Sequence, residues 1–263
     1  MLNFMQKTLI KKEIKSVVRG GRFFMDYLLV PLITGVVLPL IFVGTVIFME
    51  EGPQLEQLMA MLPLEGGNVT TFDLVISVLN DFLPMIFLIT PVMVSAAMAS
   101  GSFIGEKERR TLETLLYSPM SLREIFFAKV VGTFFVSTIV SLITFLVMIL
   151  VLGAFVFITL NEILIPDITW IAILGLVAPA FSFIGIVFQV RLSAKARNSQ
   201  EAFQQAGMLV TPLVLLIVTQ SMGILVVSTW LLLLVGFGLA VIAWVVLRIA
   251  FKKFTYEFLL SKD

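Results

Sequence analysis

The chain has 263 residues, of which 59% are hydrophobic and only 13% are charged. Its mean hydropathy of +1.09 is too high for a soluble domain of this length, so the sequence predicts a protein that has the lipid bilayer as its solvent. A net charge of +1 gives no reason to expect nucleic acid as a partner, and the absence of cysteine and histidine leads us to expect neither a catalytic nor a metal site.

A basic segment precedes the first apolar run. Lys11, Lys15 and Arg19 recur at every fourth position, opposite an arc of aliphatic residues. This pattern predicts an amphipathic helix within 1–27 that lies among the lipid headgroups, with a docking surface for a partner as the alternative. The run 28–49 is too long for the core of a signal peptide and lacks a small-residue cleavage site, so we interpret it as a retained membrane span.

Six apolar runs are long enough to cross a bilayer, which takes about 20 residues. They are 28–49, 82–104, 126–157, 168–190, 207–225 and 230–251. Their length and uniform apolarity exclude the alternating strands of a barrel. The predicted fold is therefore an all-α integral membrane protein with six transmembrane helices. It forms one domain over 1–263, in which 28–251 is the bundle and 252–263 is a cytoplasmic tail.

The positive charges predict the orientation of this bundle. Of the 18 Lys and Arg residues, 16 precede span one, follow span six, or lie between spans two and three or between spans four and five, and Lys129 and Arg248 lie at the adjoining ends of spans three and six. In the connections on the opposite side, the only charged residues are acidic. By the positive-inside rule, both termini and the two basic connections are cytoplasmic, and 50–80 is an external loop. We expect a multi-pass protein of the bacterial cell membrane.

Small residues recur at every fourth position in span two. Ala97, Gly101 and Gly105 share one helical face, which predicts a close approach by another helix. Hydroxyl groups inside the spans are predicted to bond to the helix backbone. Prolines inside the spans are predicted to kink their helices. These prolines are Pro84, Pro91, Pro179 and Pro212.

The connection between spans two and three carries the most informative sequence. Over 105–124, charges of alternating sign are followed by leucines at helical spacing. This pattern predicts a short cytoplasmic helix with one charged and one apolar face, although a plain solvated loop is the alternative. Pro119 ends that helix. Ser121, with Glu124 three residues later, predicts a capping box at the start of the next helix.

This connection closely resembles the one between spans two and three of ABC type 2 permeases, the membrane subunits of a large class of ATP-driven exporters. The matching residues are Glu106, Lys107, Glu108, Thr111, Leu112, Glu113, Leu115, Leu116, Pro119, Ser121, Ile125 and Lys129. Arg110 departs from the family's usual glycine, which should only stiffen the helix. A second, weaker resemblance is to the family's inner loop between spans four and five. It involves Asn198, Ser199, Gln200 and Glu201.

The resemblance implies a permease subunit that forms half of a translocation pathway. Its cytoplasmic coupling helix, including Arg109, would dock into a cleft of a separate ATPase subunit, with leucines as the anchor and charges fixing the register. Residues 198–201 would make a second cytoplasmic contact. The implied partners are two ATPase copies and a second permease, identical or paralogous. No cofactor is expected in this chain, which has no phosphate-binding loop, whereas ATP and Mg are expected in the ATPase.

Two other functions compete with this interpretation: a secondary transporter, and a membrane enzyme or non-transporting scaffold or sensor. No predicted span has an ionisable residue near its middle, and ion-driven carriers generally need one. The intramembrane hydroxyls lack a nearby base for nucleophilic catalysis. Uncharged spans also favour a hydrophobic or amphipathic cargo, such as a drug, a lipid or a peptide.

Overall fold

The structure, a computed structural model, describes five single residues and five ranges. They are Thr8, Lys11, Lys15, Leu29 and Gly52, and 31–49, 69–108, 121–193, 199–221 and 229–253. Within these ranges the chain forms six helices and no strand, which confirms the all-α prediction. The helices are α1 (Ile33–Ile47), α2 (71–108), α3 (Leu122–Leu160), α4 (169–193), α5 (Ser199–Ser221) and α6 (Thr229–Lys253).

Three of the helices are long and apolar enough to cross a membrane. Their apolar stretches are Thr71–Ser102, Glu124–Leu160 and Thr169–Val190, in agreement with predicted spans two, three and four. The described apolar stretches of the other helices are shorter. They are Ile33–Ile47, Val210–Gln220 and Leu233–Ile242, which lie within predicted spans one, five and six. The full length of those three spans stays a prediction, as does the amphipathic helix, of which only Thr8, Lys11 and Lys15 are described, all helical and exposed.

The start of α2 corrects the prediction of a loop over 50–80. The helix begins at Thr71, well before the predicted start at residue 82, because Thr70 forms a capping box with Asp73. The Asp73 nitrogen lies 3.2 Å from Thr70 Oγ1, and Asp73 Oδ2 accepts from the Thr70 nitrogen at 2.9 Å. A carboxylate in the first turn also faces the positive end of the helix dipole.

The start of α3 confirms the capping box predicted at Ser121. The nitrogen of Glu124 lies 3.4 Å from Ser121 Oγ, and Glu124 Oε2 accepts from the Ser121 nitrogen at 2.9 Å. The helix then runs to Leu160, farther than a bilayer requires, as the long third span predicted. It ends at Asn161, whose φ of 57° is a left-handed conformation that asparagine tolerates at a helix C-terminus.

Three helices contain a π-helical turn that ends two residues before a proline. The turns are Ile33–Val37, Val78–Phe82 and Ile173–Val177, and the prolines are Pro39, Pro84 and Pro179. In each case the residue before the proline donates its N–H to the carbonyl five residues earlier, as Leu83 does to Val78. Proline has no N–H and clashes with the carbonyl four residues before it, so the wider turn makes room for its ring. Pro91 and Pro212, by contrast, lie inside α-helical stretches.

The central helix is α2, which packs against α1, α3, α4 and α5. In its most apolar window 94% of the residues are buried, compared with 33% in α3. An aromatic cluster joins α2 to α3 and α4. The ring of Phe87 lies 5.6 Å from Trp170 and 5.9 Å from Phe145, and Phe145 lies 5.0 Å from Trp170. Any displacement of α2 would therefore change its packing against four neighbouring helices.

Candidate functional site

The two helices that flank the predicted coupling segment are described up to its edges. The α2 helix continues through Glu106, Lys107 and Glu108, so these residues extend a membrane helix and do not begin a separate one. The other end is set by the capping box of Ser121. The remaining predicted docking residues lie outside the described residues. They are Arg109, Thr111, Leu112, Glu113, Leu115, Leu116 and Pro119.

The second predicted contact falls at the start of α5. Ser199 and Gln200 are helical, and Glu201 is an acidic residue in the first turn, where the helix dipole favours a negative charge. The sequence resemblance had placed these residues in a loop, but the structure makes them the first turn of a helix. Asn198 lies outside the described residues.

The side chain of Lys129 is buried near the ends of α2 and α3 that lead into the 109–120 connection. It is only 4% exposed, and its Nζ donates to the backbone carbonyl of Ser102 on α2. Sequence analysis counted Lys129 among the cytoplasmic cations and did not foresee its burial. A signal was present, because Ile125 and Phe126 precede it by four and three residues and so share its helical face. Both of those side chains are buried.

A cluster of apolar side chains joins three helices at the same level. It contains Ala99 of α2, Phe126 and Val130 of α3, and Ile186 and Val190 of α4, all buried. Phe126 and Val130 flank Lys129 along α3, and Ala99 lies about one turn from Ser102. The ends of α2 and α3 that lead into the 109–120 connection therefore form one packed joint with α4.

The small-residue face predicted in α2 is helical throughout. Ala97 is 7% exposed and Gly101 is half-buried, and a close helix approach at Ala97, Gly101 and Gly105 stays a prediction. The structure brings α4 close to α2 at a different position. A Cβ added to Gly185 would lie 2.2 Å from Ser95 Oγ and 3.3 Å from the carbonyl oxygen of Val92, so only glycine fits there without a shift.

Several buried hydroxyls bond to backbone carbonyls, as predicted, whereas those of Ser102 and Thr133 have no hydrogen-bond partner among the described residues. Ser95 donates to Val92 at 2.9 Å, and Ser137 donates to Phe134 at 3.0 Å. Ser141 donates in turn to the carbonyl of Ser137 at 2.8 Å. These bonds satisfy hydroxyls in an apolar setting and leave them with a structural role.

Polar groups from three elements meet in the predicted outer half of α2. Asn80 Oδ1 accepts from the nitrogen of Asp167 at 3.1 Å, and Gln220 Nε2 donates to the carbonyl oxygen of Asp81 at 3.2 Å. Asn80 and Asp81 belong to the π turn before Pro84. In the part of the chain that the structure describes, no group of three acidic residues is arranged to hold a metal ion.

Comparison with protein-family models finds a match to the family described as "ABC-2 family transporter protein" over residues 7–228. The matched range includes α1 to α5, the 109–120 connection and the buried Lys129. Among curated proteins, none matches the chain significantly.

Proposed function

The chain belongs to the ABC-2 family of transporter proteins, and from this membership we infer that it is half of the translocation pathway of an ATP-driven exporter. As a member of the family it is a multi-pass membrane permease of an ABC transporter. The rest of the proposal concerns its partners, its cargo and the direction of transport. A separate ATPase subunit, present in two copies, binds ATP and Mg, and a second permease, identical or paralogous, completes the pathway.

The position of the 109–120 connection carries this proposal. One end continues from α2, which packs against four other helices, and the other end leads into α3. A force applied to this segment by an ATPase would act directly on the central helix of the bundle. Leucines in the segment supply an apolar anchor, and its alternating charges supply a polar rim, which is the usual division of roles in a protein interface.

The orientation follows from the charge distribution. Every Lys and Arg lies in the terminal segments, in the two basic connections or at the adjoining ends of the spans, and by the positive-inside rule the 109–120 connection and both termini would be cytoplasmic. An ATPase that uses cytoplasmic ATP reaches the segment only in this orientation.

The lack of charge in the middle of the predicted spans supports a hydrophobic or amphipathic cargo. A pathway between such spans would suit a drug, a lipid or an apolar peptide better than a hydrated ion. A secondary transporter would need a membrane carboxylate that is absent from the middle of the predicted spans, and this argues against that alternative.

Co-purification with the ATPase tests the proposal. The ATPases to be used are those of the same organism that carry a phosphate-binding loop, and any that is encoded beside this gene is tested first. We expect Leu115→Asp or Leu116→Asp to remove an anchor and weaken the complex by about 2 kcal/mol or more, which is roughly 30-fold in Kd. Ile163→Asp is the matched control, since it places the same charge on an exposed side chain of the predicted outer loop.

The docking variants at Leu115 and Leu116 should behave differently from the control variant at Ile163. Both docking variants should insert into the membrane at the level of the parent protein but lose the ATPase during purification, whereas the Ile163 variant should retain it. If either docking variant retained the ATPase at the parent's yield, the proposed docking segment would be wrong.

A further inference from the structure

We propose that Lys129 is a positioning residue that fixes the register of α3 against α2 and so transmits movement of the 109–120 connection into the bundle. The inference rests on the proposed function of that connection as the ATPase-docking segment. It goes further by naming the residue through which the force passes.

The location of the Lys129 charge indicates a function. Lys129 is 4% exposed and lies within the apolar stretch Glu124–Leu160. A buried ammonium group loses its hydration, and an unbranched apolar side chain such as methionine would fill the same space without that loss. Stability alone therefore does not explain a lysine at this position, and ionisable residues inside membrane segments commonly serve a function.

The charge of Lys129 makes a hydrogen bond that lies close in sequence to both ends of the 109–120 connection. Lys129 Nζ donates to the carbonyl of Ser102, which lies about two helical turns before the last described residue of α2, Glu108. Lys129 itself lies about two turns after Leu122, where α3 begins. The bond therefore joins the two helices at nearly equal distances from the two ends of the 109–120 connection.

The contact that Lys129 makes differs in kind from the apolar contacts around it. The surrounding joint of Ala99, Phe126, Val130, Ile186 and Val190 is apolar. Apolar contact favours burial but has no preferred direction, so two helices held by it alone can slide along each other. A hydrogen bond from an ammonium group is both directional and strong. Lys129 therefore converts a packed but slidable joint into one with a fixed register.

The test uses the complex of this chain with its ATPase, reconstituted in liposomes. Because the chain has no cysteine, Ile163→Cys provides a single labelling site on an exposed side chain beyond the far end of α3. The readouts are the rate of ATP hydrolysis and the change that ATP causes in the rate of maleimide labelling at this cysteine. The second readout reports transmission through the bundle and needs no knowledge of the cargo.

In Lys129→Met we expect the complex to assemble, to melt at the parent's temperature and to hydrolyse ATP at a rate near the parent's. The ATP-dependent change in labelling should fall at least about fivefold, which is a typical size for the loss of a coupling interaction. Lys129→Arg retains a charged donor and should recover part of the change. Thr133→Val is the matched control, because it removes a buried hydroxyl one turn along α3 without removing a charge.

The inference would be overturned if Lys129→Met kept the full ATP-dependent change, or if Thr133→Val lost as much of it. A parallel loss of melting temperature and labelling response in Lys129→Met would indicate a merely structural role and would also overturn it. If the Met variant gave no complex, Lys129→Leu, which likewise has no donor and no charge, would replace it, with the same expected loss. Failure of the parent chain to bind the ATPase would instead refute the proposed function.

Discussion

The side-chain amide of Gln220, at the end of α5, donates to the backbone carbonyl of Asp81 in the π turn of α2 at 3.2 Å. The adjacent Asn80 accepts the backbone N–H of Asp167, from the loop between α3 and α4, at 3.1 Å. The π turn before Pro84 therefore holds two other elements in the predicted outer half of α2. Lys129 bonds to Ser102 in the other half, so the central helix is held by polar bonds in both of its halves.

Gln220 offers a test of how much its bond contributes. The side chain is 9% exposed, and within the described residues its Oε1 has no hydrogen-bond partner. In Gln220→Leu the lost bond, about 0.5–1.5 kcal/mol, is offset by removal of a buried unsatisfied oxygen, about 1–3 kcal/mol. We expect the free energy of unfolding to stay level or rise by up to about 2 kcal/mol, measured by thermal unfolding in detergent micelles.

Two further variants define the comparison. Gln220→Ala should lower the free energy of unfolding by about 1–3 kcal/mol, because it leaves a cavity in addition to losing the bond. Val218→Ala, at a side chain that is 47% exposed, should have a smaller effect. A Leu variant as unstable as the Ala variant would show that the bond to Asp81 outweighs the unsatisfied oxygen.

Local signals predicted the parts of the fold that short sequence patterns determine. Ser121 and Glu124 stand three residues apart before an apolar run, and their capping box is present. Thr70 and Asp73 have the same spacing, but the prolines and glycines in 50–80 favoured a loop over the whole range. The early start of α2 was therefore not predicted. Apolar run length was sufficient to find spans two, three and four, because the bilayer imposes a minimum length on any spanning helix.

Features that depend on two helices meeting were not predictable in the same way. Lys129 stands close to Arg123 and Glu124 in the sequence, and the approach of α2 makes decisive the weaker signal of the apolar residues on its helical face. Gly185 resembles many other glycines in membrane helices, and its importance depends on Ser95 facing it. The prolines show the same dependence, because Pro84 follows a π turn whereas Pro91, in the same helix, does not.

The absence of cysteine makes the predicted orientation directly testable. In intact cells, we expect a membrane-impermeant maleimide to label Ile163→Cys, whose position is exposed in the loop after α3. Arg110→Cys should be labelled only after the membrane is permeabilised, because the positive-inside rule places the 109–120 connection in the cytoplasm. The unmodified chain is the control for background labelling. Labelling of Arg110→Cys in intact cells would show that the orientation is the reverse of the predicted one. A cytoplasmic ATPase could then not reach this segment.

The contact between Gly185 and Ser95 predicts a pair of variants that compensate for each other. In Gly185→Ala the new methyl group would lie 2.2 Å from Ser95 Oγ, so we expect a loss of about 1–3 kcal/mol in the free energy of unfolding. Ser95→Ala removes that oxygen and leaves the nearest atoms at 3.3–3.4 Å, so the double variant should recover at least about 0.5 kcal/mol of coupling energy. Gly153→Ala is the control, because no atom lies within 4 Å of its added Cβ, and it should be neutral or stabilising. Strict additivity of the Gly185 and Ser95 changes in thermal unfolding would contradict the close approach of α2 and α4.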